Sequence, residues 1–326
     1  MRARIVGTGS FLPEYRMSNF ELSELVETSD EWITSRTGIK ERRIAKELTV
    51  SDMAANACIR ALENASVTPE QVDLIIVATS SPDYFFPNCA SIVQKKIGAC
   101  NAACFDLSAA CSGFIAALST AAAYAEAGIY SNILVVGSEK MSSLVDWKDR
   151  STCILFGDGA GACVVGRRAS GDGAEIISGD FHNDGNNNDV LTAEKSGFIH
   201  MDGQAVFKFA VKKVPETIKH LLEEEGVQTQ DVKYYILHQA NIRIIESVAK
   251  RLEINASESG KAQNEYVKTV MEKFPSNLQK YGNTSSASIP ILLDELNREN
   301  KLHPGDLLVF AGFGAGLSWG SMLVRW

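Results

Sequence analysis

Three residues carry the chemistry this sequence offers: a cysteine among small residues at 111, a histidine at 238 and an asparagine at 283. Cys111 lies in Phe105-Asp106-Leu107-Ser108-Ala109-Ala110-Cys111-Ser112-Gly113-Phe114, and an alanine-rich run reaches Tyr124 directly after it. That run has high helix propensity and almost no polarity, so a buried helix is expected with Cys111 at its first turn. A thiol there meets unpaired backbone N–H groups and the positive end of the helix dipole, and both favour thiolate. The same stretch also fits a small buried core cysteine. His238 ends the apolar run Tyr234-Tyr235-Ile236-Leu237, where α/β sheets place their sites, or is a satisfied polar residue at a strand end. Asn283, in Gly282-Asn283-Thr284-Ser285, stands at a helix start, where asparagine also serves as an N-cap.

A reduced cysteine with histidine and asparagine fits two chemistries. One is papain-like hydrolysis, with the imidazole as base and the amide as its orienter. The other is thioester exchange followed by carbon–carbon bond formation, with both groups donating hydrogen bonds to a developing enolate oxygen. The glycine-rich end Ala311-Gly312-Phe313-Gly314-Ala315-Gly316-Leu317-Ser318-Trp319-Gly320 lets backbone amides approach a reacting carbonyl, or lets two crowded segments cross. Trp32 and Arg36, at i and i+4, share a helix face and can sandwich a planar base or simply pack on each other. Cationic residues gather at Lys208, Lys212 and Lys213 beside Phe207, and at Arg243, Lys250 and Arg251 after His238. Such a rim attracts an acidic carrier or a phosphate-bearing ligand, or is a solvated helix face. Gly7-Thr8-Gly9 lacks the third glycine of a dinucleotide fingerprint.

Strand-like and helix-like stretches alternate around these residues. The near-continuous β-branched run Val72–Thr79 reads as a strand buried on both faces, and Asn132–Ser138 as a second. Gly157–Val165 is a glycine turn entering a third. The expected class is α/β with a layered, largely parallel sheet. An internal repeat underlies it. Ser66–Val77 resembles Gly226–Leu237 at an offset of 227 − 67 = 160, and Asn132–Val136 pairs with Asp306–Phe310 at 307 − 133 = 174. The difference implies an insertion in the second copy. Between these anchors the Cys111 helix corresponds to the helix opened by Gly282–Ser288. Two halves are therefore expected, 1–170 and 171–326, joined at the polar, glycine-rich stretch Arg167–Gly173.

The 326 residues, 45% hydrophobic and 22% charged, are ordinary for a globular protein. Met1 leads straight into a strand-like stretch, and the most apolar helix is too short to span a bilayer, so neither a secretory leader nor a membrane anchor is expected. Seven cysteines, an odd number and several in apolar runs, point to reduced thiols in a cytoplasmic protein. Cys100 and Cys104 have no second pair or nearby histidine to complete a zinc set, so no metal is expected. A net charge of −8 disfavours a nucleic-acid partner.

The motifs Asp30-Glu31-Trp32-Ile33 with Arg36-Thr37-Gly38-Ile39, Ala109–Phe114, Phe156–Ala162, His238-Gln239-Ala240-Asn241, Gly282–Ser285 and Ser318-Trp319-Gly320 together resemble the β-ketoacyl-acyl carrier protein synthase III family across essentially the whole chain. The resemblance implies a thiolase fold, two duplicated α/β halves packed as a five-layered αβαβα core. It implies that Cys111 is acylated by a short acyl-CoA, and that His238 and Asn283 promote decarboxylation of malonyl-acyl carrier protein (ACP) to give a 3-oxoacyl-ACP. The oxyanion hole would be the amides of Cys111 and Ala315. Trp32, Arg36, Arg150, Gly203, Phe207, Asn241 and Phe313 match CoA-binding positions, and Lys208, Arg243, Lys250 and Arg251 match the carrier-docking surface. Phe86 matches a residue that crosses a homodimer interface into the partner's acyl pocket. CoA thioester is a substrate, and no cofactor is implied. Elongating synthases carry a second histidine where Asn283 stands, which favours the initiating class.

Two departures stand out. The stretch from His238 to Asn283, 283 − 238 = 45 residues, is longer than the family pattern, with the excess expected within Ala256–Lys273. Ala315 replaces a common glycine, and its methyl narrows the available backbone angles. A secondary-metabolism synthase with another acceptor, a Cys-His-Asn thioesterase and a non-catalytic paralogue are the competing readings. Loss of condensation in Cys111→Ala separates the synthases from the paralogue, and free acid as the main product marks the thioesterase.

Overall fold

The computed structural model describes residues 2–169, 171–194, 197–252 and 270–326. The first half contains β1 (Arg2–Phe11), α1 (Asp30–Thr37), α2 (Val50–Ala65), β2 (Leu74–Ala78), α3 (Cys89–Ile97), β3 (Ala103–Leu107), α4 (Gly113–Glu126), β4 (Asn132–Lys140) and β5 (Asp158–Arg168). The second contains β6 (Ala174–Asn183), α5 (Gly203–Glu224), β7 (Val232–Leu237), α6 (Ile242–Arg251), α7 (Ser288–Arg298), β8 (Leu307–Gly314) and β9 (Ser318–Arg325). Of the shorter strands outside these, two supply Leu191 and Met201 to the cleft described below.

Side-chain alternation builds the layers. In β2, Leu74, Ile76 and Ala78 point into one hydrophobic cluster and Ile75 and Val77 into another, which is why the run is apolar at every position. The strand β4 divides likewise, with Ile133 and Val135 on one side and Leu134 and Val136 on the other. In β8, Leu308 and Phe310 share the first of these clusters, while Val309 and Ala311 face a third. That shared central cluster also holds Phe114, Ile115 and Leu118 of α4 and Ile289, Leu292 and Leu296 of α7. Helices α2 and α3 cover the outer face of the first half, and α5 and α6 that of the second. The result is five layers, α, β, α, β, α, with α4 and α7 in the middle.

Each half repeats one topology. In the first, β3, β2 and β4 run parallel, and β5 and β1 follow antiparallel. In the second, β7 and β8 run parallel, and β9 and β6 follow antiparallel. A short antiparallel pairing of Arg4 and Ile5 with Glu175 and Ala174 joins the halves, so the sheet runs continuously as β7-β8-β9-β6-β1-β5-β4-β2-β3. The largely parallel sheet expected from the sequence is therefore mixed, because the edges that meet at the centre are antiparallel. In sequence, β5 ends at Arg168 and β6 begins at Ala174.

The duplication extends to two tight turns. Ala110–Ser112 leads into α4 and Ser285–Ala287 into α7, and Ala110 (φ 47°) and Ser285 (φ 50°) both adopt left-handed backbone. The offset, 285 − 110 = 175, is within one residue of the 174 that the second pair of repeat anchors shows. Non-glycine residues there are strained and persist only where packing over-determines them. The packing is close: a Cβ added at Gly137 of β4 would lie 2.4 Å from the Ser286 carbonyl oxygen, so only glycine lets the second half's turn rest on the first half's sheet.

Candidate active site

The paired turns deliver Cys111 and Asn283 to one cleft from opposite halves. Cys111 occupies the turn just before α4, and α4 begins without a side-chain cap. His238 follows β7 at the carboxyl end of its strand, held by its N–H to the Ala311 carbonyl oxygen at 2.8 Å. Asn283 is fixed on both sides: its N–H donates to Leu155 O at 2.8 Å, and its carbonyl accepts from Gly157 N–H at 3.0 Å. These three side chains line one cleft walled by Leu155, Phe156, Leu191, Val206 and Ile244.

Hydrogen bonding fixes what each polar group presents. The Asn283 side-chain oxygen accepts from Ser285 N–H at 2.8 Å, which leaves its NH₂ as the free donor. The Ser288 hydroxyl lies 2.7 Å from His238 Nδ1 and accepts from Gln239 N–H at 3.3 Å. Nδ1 is the only acceptor within reach of that hydroxyl among the described residues, so the ring proton sits on Nε2. Burial pushes His238 down to about 3. The imidazole is therefore a neutral donor, as an enolate oxygen requires. Phe313 packs edge-on against it at 5.2 Å.

Cys111 departs from the sequence expectation. Burial pushes its thiol up to about 12, the Ser285 hydroxyl pulls the other way, and the nearby Glu139 carboxyl adds to the rise. A helix start is present as expected, but loss of water outweighs it. Gly314 shapes the opposite wall, where an added Cβ would lie 2.8 Å from Cys111 N. Gly314, not Ala315, lines the cleft. The carbonyl of Ala315 accepts from Ser318 Oγ at 2.9 Å. Ala315 is not among the residues with positive φ, so its backbone makes no demand for glycine.

Of the remaining expected residues, Gly203, Phe207, Asn241 and Phe313 line the same cleft. The guanidinium carbons of Arg36 and Arg150 lie 4.7 and 5.0 Å from the Trp32 ring centre, so these three form one cluster. Trp32 packs against the hydrophobic cluster that holds Phe156, and Leu155 and Leu191 of the cleft wall pack against the same cluster. Lys208, Arg243, Lys250 and Arg251 are exposed on α5 and α6. Phe86 is 86% exposed and does not line the cleft of its own chain. Residues 253–269, with most of the segment expected to hold the extra length, lie outside the described residues. Among the described residues no group of three or more His, Cys, Asp or Glu side chains is arranged to hold a metal.

Sequence reasoning missed Ser288, which sets the histidine's proton, and Glu139, buried completely at the end of β4. The available signal for Glu139 was an acid closing an apolar strand at the edge where sites form.

Known proteins match this arrangement. Residues 105–185 match the family 3-oxoacyl-[acyl-carrier-protein (ACP)] synthase III, and residues 222–326 match 3-oxoacyl-[acyl-carrier-protein (ACP)] synthase III C terminal. A β-ketoacyl-[acyl-carrier-protein] synthase III from Clostridium acetobutylicum is 48% identical over 336 residues, covering 99% of this chain and 98% of that protein. The chain belongs to the β-ketoacyl-[acyl-carrier-protein] synthase III family. A crystal structure of 3-oxoacyl-[acyl-carrier-protein] synthase III from Aquifex aeolicus superposes with a TM-score of 0.92 at 46% identity, covering 99% of this chain and all (100%) of that one. The priming β-ketosynthase of the R1128 polyketide pathway superposes with a TM-score of 0.90 at 36% identity, over 99% and 96% of the two chains. The five-layered core is the thiolase fold of this family.

Proposed function

We propose that this chain is the acyltransferase that initiates type II fatty acid synthesis, condensing a short acyl-CoA with malonyl-ACP to give 3-oxoacyl-ACP, CoA and CO₂. The observation that carries the mechanism is the donor geometry opposite Cys111: a neutral His238 with its proton on Nε2 and an Asn283 NH₂ face the same cleft. Two neutral donors stabilise an enolate oxygen without protonating its carbon. Cys111 takes the acyl group from CoA. Malonyl-ACP then enters, CO₂ departs, and the enolate held by His238 and Asn283 attacks the acyl carbon. The same geometry argues against hydrolysis, because an imidazole with Nδ1 engaged and Nε2 protonated cannot deprotonate a water.

Trp32, Arg36 and Arg150 are proposed to hold the CoA nucleotide, with Gly203, Phe207, Asn241 and Phe313 along the pantetheine path. The amides of Cys111 and Ala315 would hold the thioester oxygen. Lys208, Arg243, Lys250 and Arg251 suit an acidic carrier. No cofactor is needed. A homodimer is supported by the exposed Tyr84 and Phe86 close to β3, which ends the sheet. Seven unpaired cysteines suit a reducing cytoplasm, and no helix among the described residues is long and apolar enough to cross a membrane.

Intact mass after incubation with a panel of acyl-CoAs tests the reading. An adduct of the acyl mass on Cys111, absent in Cys111→Ala, is expected. His238→Ala and Asn283→Ala should still take the acyl group but release CO₂ from malonyl-ACP about 100-fold more slowly. Free acid as the main product would overturn the synthase assignment in favour of a thioesterase. A polyketide-type role like that of the R1128 relative would show as condensation with an acceptor other than malonyl-ACP.

A further inference from the structure

The Asn283 backbone is pinned by Leu155 O and Gly157 N–H, but its side chain is directed by one further contact, the Ser285 N–H that its Oδ1 accepts at 2.8 Å. An amide turned over would aim an oxygen at the enolate in place of its protons. Ser285 is itself in left-handed backbone at φ 50°, a conformation that persists only where the surroundings over-determine it. A carboxyl from the other half of the molecule reaches it there. Glu139, at the end of β4 and 0% exposed, has its Oε1 3.1 Å from Ser285 Oγ and 2.8 Å from Ser286 Oγ.

The hydrogen bonds around Glu139 fit a neutral acid with its proton on Oε1. Its Oε2 accepts from Ser80 N–H at 3.0 Å, Ser81 Oγ at 2.7 Å and Thr79 Oγ1 at 3.3 Å. Those two hydroxyls accept in turn from Lys140 N–H at 2.9 Å and Ser81 N–H at 3.2 Å, which leaves their protons for Oε2. On the other side, Ser286 has a single proton but two acceptors in reach, Oε1 and Ala78 O at 2.9 Å. With the acid proton on Oε1, Ser286 gives its own proton to Ala78 O and receives that of Glu139, while Ser285 donates to Oε1. No cation pairs with Glu139 among the described residues, and the neighbouring Lys140 ammonium donates instead to the carbonyls of Lys46 and Leu48. Burial acts in the same direction and holds the carboxyl above its ordinary range.

We propose that Glu139 is a positioning residue for the Asn283 amide: its carboxyl clamps Ser285 and Ser286 to β4 and to the Thr79–Ser81 segment, and so keeps the Asn283 NH₂ aimed into the cleft. The inference rests on Asn283 being a donor to the enolate oxygen. It assigns Glu139 to decarboxylation and condensation and not to acylation, which uses the Cys111 thiol and no Asn283 proton. Glu139 keeps its own proton throughout. The same strand holds the turn by its backbone as well, since Gly137, two residues before Glu139, is where the Ser286 carbonyl rests. Both halves are thereby tied together one residue pair away from the donor.

The experiment measures two rates, acetyl transfer from acetyl-CoA to Cys111 and CO₂ release from malonyl-ACP, in the parent, Glu139→Gln, Glu139→Met and Ser285→Ala. Glutamine supplies an oxygen for Ser80 N–H and two protons for the Ser285 and Ser286 oxygens. It should keep CO₂ release within about fivefold of the parent, the scale of one imperfect hydrogen bond. Methionine keeps the length and supplies neither, so CO₂ release should fall about 100-fold, as for a group displaced by about 1 Å, with acetyl transfer close to the parent's. Ser285→Ala cuts one arm of the clamp and leaves the buried acid in place, so it should lose CO₂ release selectively too, and it decides the question where Glu139→Met does not fold. Glu139→Met combined with Asn283→Ala should be no slower than Asn283→Ala alone, because the carboxyl acts through that amide. In protein labelled with ¹⁵N-asparagine, the side-chain NH₂ signals that Asn283→Ala removes should stay sharp in Glu139→Gln and shift or broaden in Glu139→Met and Ser285→Ala.

Equal losses of acetyl transfer and CO₂ release would mark a general structural role and overturn the proposal, as would a double variant slower than Asn283→Ala. A Glu139→Gln as slow as Glu139→Met would show that the charge or the proton of the acid is what counts, and would also overturn it. A parent that takes the acetyl group but releases no CO₂ would sink the decarboxylation reading instead. The Asn283 NH₂ signals would still decide the clamp, which falls if Glu139→Met and Ser285→Ala leave them unchanged.

Discussion

A histidine 2% exposed, 2.7 Å from a serine hydroxyl and edge-on to Phe313, ionises only by burying a charge with no carboxylate beside it. Its folded value of about 3 lies below the ordinary 6.5. The unfolded chain therefore binds the extra proton, and the stability the neutral ring contributes is complete above pH 6.5 and lost as pH falls towards 3. The loss runs at about 1.4 kcal/mol per pH unit. Urea unfolding of the parent should thus lose about 2 kcal/mol more than His238→Asn between pH 6.5 and 4.5. Parallel curves would mean that the ring accepts a proton while folded, and the neutral-donor mechanism would go with it. The residue types at 111, 238 and 283 were legible in the sequence because side-chain chemistry is local. The protonation of each was not, because it depends on burial and on Ser285 and Ser288, which arrive with the turn before α7.

At the scale of elements, the site depends on how closely two backbones approach. The strand β8 ends at Gly314, where a Cβ would lie 2.8 Å from Cys111 N, 3.2 Å from Cys111 Cβ and 3.3 Å from Ala110 Cβ. These neighbours are backbone and short side chains next to a left-handed Ala110, so none can swing away. Gly314→Ala must then displace either the turn carrying Cys111 or the end of β8. A stability loss of about 1–3 kcal/mol is expected from the overpacking. Acylation should fall far more than stability accounts for, because a shift of about 1 Å at a reacting atom costs on the order of 100-fold. Thermal unfolding together with the acylation rate checks this, and a variant that acylates normally would show that the contact is slack. The glycine-rich run was visible in the sequence, but two of its glycines do different work. Gly314 avoids Cys111, whereas a Cβ on Gly320 would strike Asp180 O of β6 at 2.5 Å. Only the register of the sheet separates a site glycine from a packing one.

For the whole molecule, the duplicated halves could be read from the sequence because equivalent strands and helices keep their hydrophobic pattern at offsets near 160 and 174 residues. The continuous sheet could not, since it hangs on two residue pairs between β1 and β6 with no local signature. That sheet ends at β3, whose residues are only partly covered, and the loop before α3 sets Tyr84 (62% exposed) and Phe86 (86% exposed) beside it. Soluble proteins rarely leave large aromatics beside an open strand edge, because the edge invites another chain. The groups lining the hollow there include Phe105 and Leu107 of β3 itself, so a second copy meeting this edge would cover aromatics and strand together. A twofold axis would bury Phe86 twice, at about 1.5–3 kcal/mol for each ring. Phe86→Asp removes both and adds two charges, so the dimer should weaken by at least about 100-fold. Sedimentation at micromolar concentration should find the parent as a dimer and the variant as a folded monomer, with Cys111 still open to iodoacetamide. A variant that stays dimeric would move the interface elsewhere, and would leave Phe86 without a place in the partner's acyl pocket.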